Sequence, residues 1–243
     1  MIKSILSVAV ALLLTAAVSS CGGGLPKDGS PSITEESERT DNDNAVIGGS
    51  STGSGRAVTQ DRQVPPFTAV TLTDAGTVRV QHGPNQKVTV TFDDNLISRL
   101  RTDVSGTRLT ISVIGSYSSR VGPVVDITMP SSLMSADLDG SGDVTATGVN
   151  SERFSAEVRG SGKVTAAGRA DRVDARVTGS GGIAMPDLVA TDVNVRVEGS
   201  GEARVSCSGV LSAAIIGSGD IRYRGAPTQI QRDVTGSGSV SVD

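Results

Sequence analysis

Leu138-Asp139-Gly140-Ser141-Gly142-Asp143-Val144 returns twenty residues later as Val158-Arg159-Gly160-Ser161-Gly162-Lys163-Val164. The phrase recurs at Val177–Ile183, Val197–Ala203, Ile215–Ile221 and Val234–Val240, so that the Gly-Ser-Gly triplets start at steps of 20, 19, 20, 18 and 19 residues. A period that regular belongs to a stacked architecture in which each repeat contacts its neighbours. Two places before each triplet stands an aliphatic residue (Leu138, Val158, Val177, Val197, Ile215, Val234), and two places after it another apolar one (Val144, Val164, Ile183, Ala203, Ile221, Val240). Charged residues such as Asp139, Arg159, Lys163, Glu198 and Asp220 fill the positions between. This is period-two alternation on both sides of a turn, the pattern of strands with one buried face.

Two short strands joined at a glycine corner could build a hairpin meander or a β-helix. Identity between successive repeats favours the second, because parallel stacking puts aliphatic on aliphatic and corner on corner. We therefore predict an all-β chain: a parallel β-solenoid of ~20-residue coils, right-handed, with a filled bore. Six coils at ~4.8 Å each make a rod of roughly 29 Å. Glycine reaches positive φ at the corner without strain, and the stacked serines are expected to bond one another or the backbone.

The repeat begins before its first full copy. Leu72 and Val78 flank Asp74-Ala75-Gly76 with the six-residue spacing of Leu138 and Val144, a degenerate first coil. Further alternating runs at Val88–Phe92, Leu109–Val113 and Val125–Met129 are separated by Gly83-Pro84-Asn85, Ser105-Gly106 and Gly122-Pro123. The domain is thus expected over 63–243, with irregular coils over 63–130 and regular ones over 131–243.

Residues 1–20 read as an export signal: Lys3, an apolar run from Ile5 to Val18 too short to span a bilayer, then Val18-Ser19-Ser20-Cys21. Those four residues resemble the lipobox of bacterial lipoproteins, which implies acylation of Cys21 and anchoring through acyl chains such as palmitate. Gly22 stands where some bacterial groups carry an inner-membrane retention Asp, so the outer membrane or cell surface is the expected address. Over 21–62 the chain is Gly, Ser, Thr and acidic residues, a composition expected to stay a disordered tether. Gly53-Ser54-Gly55 lies there without flanking alternation and is excluded from the repeat.

Little in the sequence points to chemistry. Cys207 has the parity of Ala203 and Val205, which points it inward as a buried thiol. His82, the single histidine, precedes Gly83-Pro84-Asn85 and reads as a solvated loop residue without a nucleophile motif beside it. Asp137-Leu138-Asp139-Gly140-Ser141-Gly142-Asp143 resembles the start of a calcium loop but has Gly148 where the bidentate glutamate belongs. No metal, cofactor or catalytic residue is expected. A net charge of −4 without a basic stripe argues against nucleic acid, and 2% aromatics with no Trp argues against sugar stacking. The outward columns mix charge, as in Asp139, Arg159, Thr178 and Glu198, which reads as a solvated face.

Phe67-Thr68-Ala69-Val70, Gly76-Thr77-Val78-Arg79-Val80, Val88–Phe92 with Asp93-Asp94-Asn95-Leu96, Thr128-Met129-Pro130 and the tandem Gly-Ser-Gly-x-Val together resemble a bacterial family. It is the one called "putative auto-transporter adhesin, head GIN domain", and the resemblance spans about 63–243. It implies a β-helix-like fold, export, a lipid anchor and an adhesion-type role with a protein or glycan partner. The alternative is a β-helix enzyme acting on an envelope or extracellular polysaccharide. Val240 and Val242 lie at inward parity in the last coil, so that edge is expected to be a contact surface for a partner strand or for self-association.

Overall fold

The computed structural model describes residues 50–243. The expected signal peptide, Cys21 and most of the expected tether therefore lie outside the described residues. Nine strands come first: β1 (Ser51–Thr52), β2 (Ala57–Arg62), β3 (Ala69–Leu72), β4 (Thr77–His82), β5 (Lys87–Asp93), β6 (Leu100–Ser105), β7 (Arg108–Val113), β8 (Tyr117–Ser118) and β9 (Val124–Met129). The regular part follows with β10 (Ser135–Gly140), β11 (Asp143–Gly160), β12 (Lys163–Gly179), β13 (Gly182–Gly199), β14 (Glu202–Cys207), β15 (Val210–Gly217), β16 (Asp220–Arg224), β17 (Gln229–Gly236) and β18 (Ser239–Val242).

The regular part is a parallel β-solenoid. A first face stacks β3, β10, the second halves of β11, β12 and β13, then β15 and β17. A second face stacks β4, the first halves of the same long strands, then β14, β16 and β18. The register is the one written in the sequence. Leu72, Leu138, Val158, Val177, Val197 and Ile215 form one continuous column, and Val78, Val144, Val164, Ile183, Ala203 and Ile221 the other. Every member of both columns is buried, and no polar side chain interrupts them.

The corners hold because of two different demands on glycine. Gly179 has φ +113°, and a Cβ there would sit 2.6 Å from Gly160 O of the coil below. At Gly181 a Cβ would lie 2.7 Å from Val158 Cγ1, so the second glycine admits the inward valine of the neighbouring coil. The serine hydroxyls do not do the stacking. The corner serines are exposed, and their backbone N–H makes the inter-coil bond, as in Ser161 N to Gly140 O and Ser180 N to Gly160 O, both 3.0 Å.

Two expectations for the amino end need correction. The irregular segment is not a set of coils throughout, because β5 runs antiparallel to both β2 and β9, and β6 antiparallel to β7. Gly106, at φ +60°, sits in the tight β6–β7 reversal, and such a hairpin turns the chain back instead of advancing it one coil. The tether also stops sooner than 62. Strand β2 pairs along its length with β5, and β1 pairs with β8. Composition hid β2 because an edge strand can be held by its ladder and by polar cross-strand pairs. Thr59 Oγ1 lies 2.9 Å from Thr91 Oγ1, Thr89 Oγ1 donates to Asp61 at 2.9 Å, and only Val58 packs against the core. Gly53-Ser54-Gly55 stays outside the coil stack and instead clasps the Asp93-Asp94-Asn95 turn. Gly55 N donates to Asp93 at 3.0 Å, Ser54 N to Asn95 at 3.0 Å, and Ser54 Oγ to Asp94 at 2.5 Å.

Candidate functional site

With its bore filled by side chains, the solenoid offers recognition only on its outside. On the first face the outward positions of β10 to β13 and β15 line a shallow groove of about 740 Å³ with Arg108 at its amino-terminal rim. Period-two alternation puts every second residue on this surface, and the coil register sets like positions one strand spacing apart. One column runs Asp137, Glu157, Arg176, Arg196 and Ala214, and its neighbour runs Ser135, Ser155, Asp174, Asn194 and Ser212.

The charges are linked along and between coils. Arg108 pairs with Asp137, Arg159 Nη2 with Glu157 at 2.8 Å, Arg176 Nη2 with Glu198 at 2.7 Å, and Arg196 Nε with the same Glu198 oxygen at 2.5 Å. Arg153 reaches Asp174 at 3.6 Å, and Arg172 reaches Asp192 at 3.9 Å. The Arg196 and Arg176 hydrogen bonds hold the Glu198 carboxyl below the usual carboxylate range. Such exposed, solvent-screened pairs contribute little to the fold, so their ordering matters more for recognition than for folding. The strip mixes four arginines with three carboxylates, is dense in donors and acceptors, and is free of aromatic rings.

The terminal rung is the second candidate. Strand β17 pairs only with β15, and β18 only with β16, which leaves one backbone edge of each without a strand partner among the described residues. Val240 packs partly against the core, while Val242 is 67% exposed. The parity read from the sequence thus holds, but the two valines are not equally accessible.

The remaining sequence candidates fall apart as sites. Cys207 is buried, its Sγ donating to Thr191 O at 3.2 Å, and burial pushes its thiol pKa up, away from reactivity. His82 ends β4 rather than sitting in a loop, and it is exposed. The calcium-like segment forms β10 and a corner, with Asp137 already held by Arg108 and by Ser135 Oγ at 2.9 Å. Among the described residues no three His, Cys, Asp or Glu side chains converge as a metal site, and no helix is long and apolar enough to cross a membrane. Sequence reading missed the linked strip. Its signal was present in the outward columns, where carboxylates and arginines recur from coil to coil, but pairing across columns depends on which rotamers meet.

No curated protein sequence matches the chain. Solved structures that share the fold include two bacterial proteins. A "putative adhesin" from Bacteroides fragilis NCTC 9343 has 21% identity and a TM-score of 0.65, covering 79% of this chain and 99% of its own. Another from Parabacteroides distasonis ATCC 8503 has 19% identity and a TM-score of 0.52, covering 80% and 100%. The solenoid register, the corner glycines and the match of the family's sequence profile to residues 66–227 place this chain in the family described as "putative auto-transporter adhesin, head GIN domain".

Proposed function

We propose that this protein is an exported, lipid-anchored solenoid that makes adhesion-type contacts at the bacterial surface, and that it does so through the charged strip on its first face. The carrying observation is the strip itself: arginine and carboxylate side chains from four successive coils, Asp137, Glu157, Arg176 and Arg196 among them, ordered on a rigid frame. Rigid parallel stacking presents these groups at a fixed spacing, which lowers the ordering cost of binding an extended protein or glycan. Anchoring enters through Cys21, and replacing it with Ala should release the chain from membranes or stall its processing.

The test is capture of envelope and cell-surface material by the full chain and by an Arg176→Glu, Arg196→Glu variant. Both side chains are on the outer face, so the variant should stay folded, with a lowered melting temperature because the new carboxylates sit beside Glu198, and should lose capture. Equal capture by the folded variant overturns the strip as the contact surface. Glycan cleavage abolished by a single outward Asp or Arg substitution favours the polysaccharide enzyme instead.

A further inference from the structure

One residue of the terminal rung breaks its column. Ala136, Ala156, Ala175, Val195 and Ala213 stack in register inside the first face, each at most 4% exposed, and the next position in that register is Arg232. Its guanidinium reaches from the first face to the second. It lies 5.9 Å from the Tyr223 ring centre, and Nη2 donates to Tyr223 Oη at 3.1 Å. Tyr223 is itself a core residue, 5% exposed, in register between Val205 and Val242. Arg232 thus lies across the end of the bore, where each coil before it has a methyl or isopropyl group.

We propose that Arg232, braced on Tyr223, keeps a second copy of this chain from stacking on the terminal edge. Without it the rung would be a template for self-pairing: backbone on β17 and β18 that has no strand partner among the described residues, with Ile230, Val234 and Val242 exposed beside it. A two-fold end-to-end contact would run β17 antiparallel to its counterpart. Only even registers keep inward face on inward face, since a one-residue slip turns every side chain over. The register that sets Ile230 against Val234 of the second copy sets Arg232 against Arg232. A shift of two sets each guanidinium on an apolar side chain. Either way a cation is desolvated in the seam without a carboxylate, and Asp233, of opposite parity, faces outward and cannot supply one. Inward-pointing charge is a known means of blunting a sheet edge. The amino-terminal end offers no easier mate, because its edge strand β6 exposes Arg101 and Asp103.

A blocked edge and the self-association expected from Val240 and Val242 are opposite outcomes of one measurement. Sedimentation of the full chain in mild detergent, over a hundredfold concentration range, should show a monomer. Arg232→Met, which keeps the length over Tyr223 and removes the charge, should associate at least tenfold more tightly, and adding Val242→Lys should reverse the gain. Arg232→Lys should remain monomeric. A wild type that already associates through this edge, or a folded Arg232→Met that stays monomeric across the range, overturns the proposal. If Arg232→Met loses its fold, Arg232→Gln read in the same way decides the question.

Discussion

The two ends of the solenoid are finished in different ways. At the amino end the chain folds back on itself: β2 and β6 run antiparallel to their neighbours, and Phe67, Phe92, Leu96, Ile97 and Leu100 fill the space beneath them. Tyr117 meets Phe92 edge to face, ring centres 5.3 Å apart at 81°. At the carboxyl end the same columns run on into β17, where every residue is exposed and Val234 reaches 42%. The buried column is one element of sequence with two energetic values, and what lies over it decides which. Three of the five aromatic residues, Phe67, Phe92 and Tyr117, stand at the amino end, while Phe154 is buried in β11 and Tyr223 in β16.

The largest effect should come from the middle, where neither end matters. Val177 is fully buried in the central column, so Val177→Asp should cost at least about 4 kcal/mol by leaving a buried charge unpaired. Thr178→Asp, one residue on and facing out, should cost less than about 0.5 kcal/mol. Equal losses of melting temperature would break the assigned register. Next comes a matched pair at the two ends. Phe92→Ala should destabilise the domain by about 3–5 kcal/mol as a core truncation. Val234→Ala, in the exposed rung, should cost under about 1 kcal/mol. Similar values for both would mean that the carboxyl end is as well covered as the amino end.

Hydrogen exchange should sharpen the same contrast without substitution. Amides of β17 and β18 should exchange through local opening, faster than those of β11 to β13, whose strands are paired on both sides. Uniform protection along the stack would contradict an open rung. The smallest effect belongs to the amino-terminal clasp. The Ser54 hydroxyl, with help from Arg56, lowers the Asp94 pKa below the ordinary aspartate value. Because the folded pKa is the lower one, its contribution is complete above the unfolded pKa and fades as pH falls through the folded value. In an NMR titration Ser54→Ala should move the Asp94 midpoint back up, and an unchanged midpoint would remove the hydroxyl as the cause.

The amino-acid sequence determined the class of fold, the coil length and the register. Gly-Ser-Gly at a near-constant step, with like residues in like places, favours a stack over a meander, and period-two alternation on each side of Gly140–Gly142 or Gly199–Gly201 says which face is inside. Cys207 was legible for the same reason, since parity is a local property. Tertiary structure alone decided what depends on partners far apart in the chain. Strand β2 carries almost no apolar signal and is ordered because β5 satisfies its backbone. The reversal of β5 and β6 into a cap follows from turn geometry and from rings that meet only after folding. The charged strip likewise joins Arg176 to Glu198 and Arg108 to Asp137 across 22 and 29 residues. A repeat fixes which column a residue belongs to; whether its side chain is buried, paired or left open is set by the neighbour above it, and at Arg232 the sequence itself placed a charge where the column had called for a methyl group.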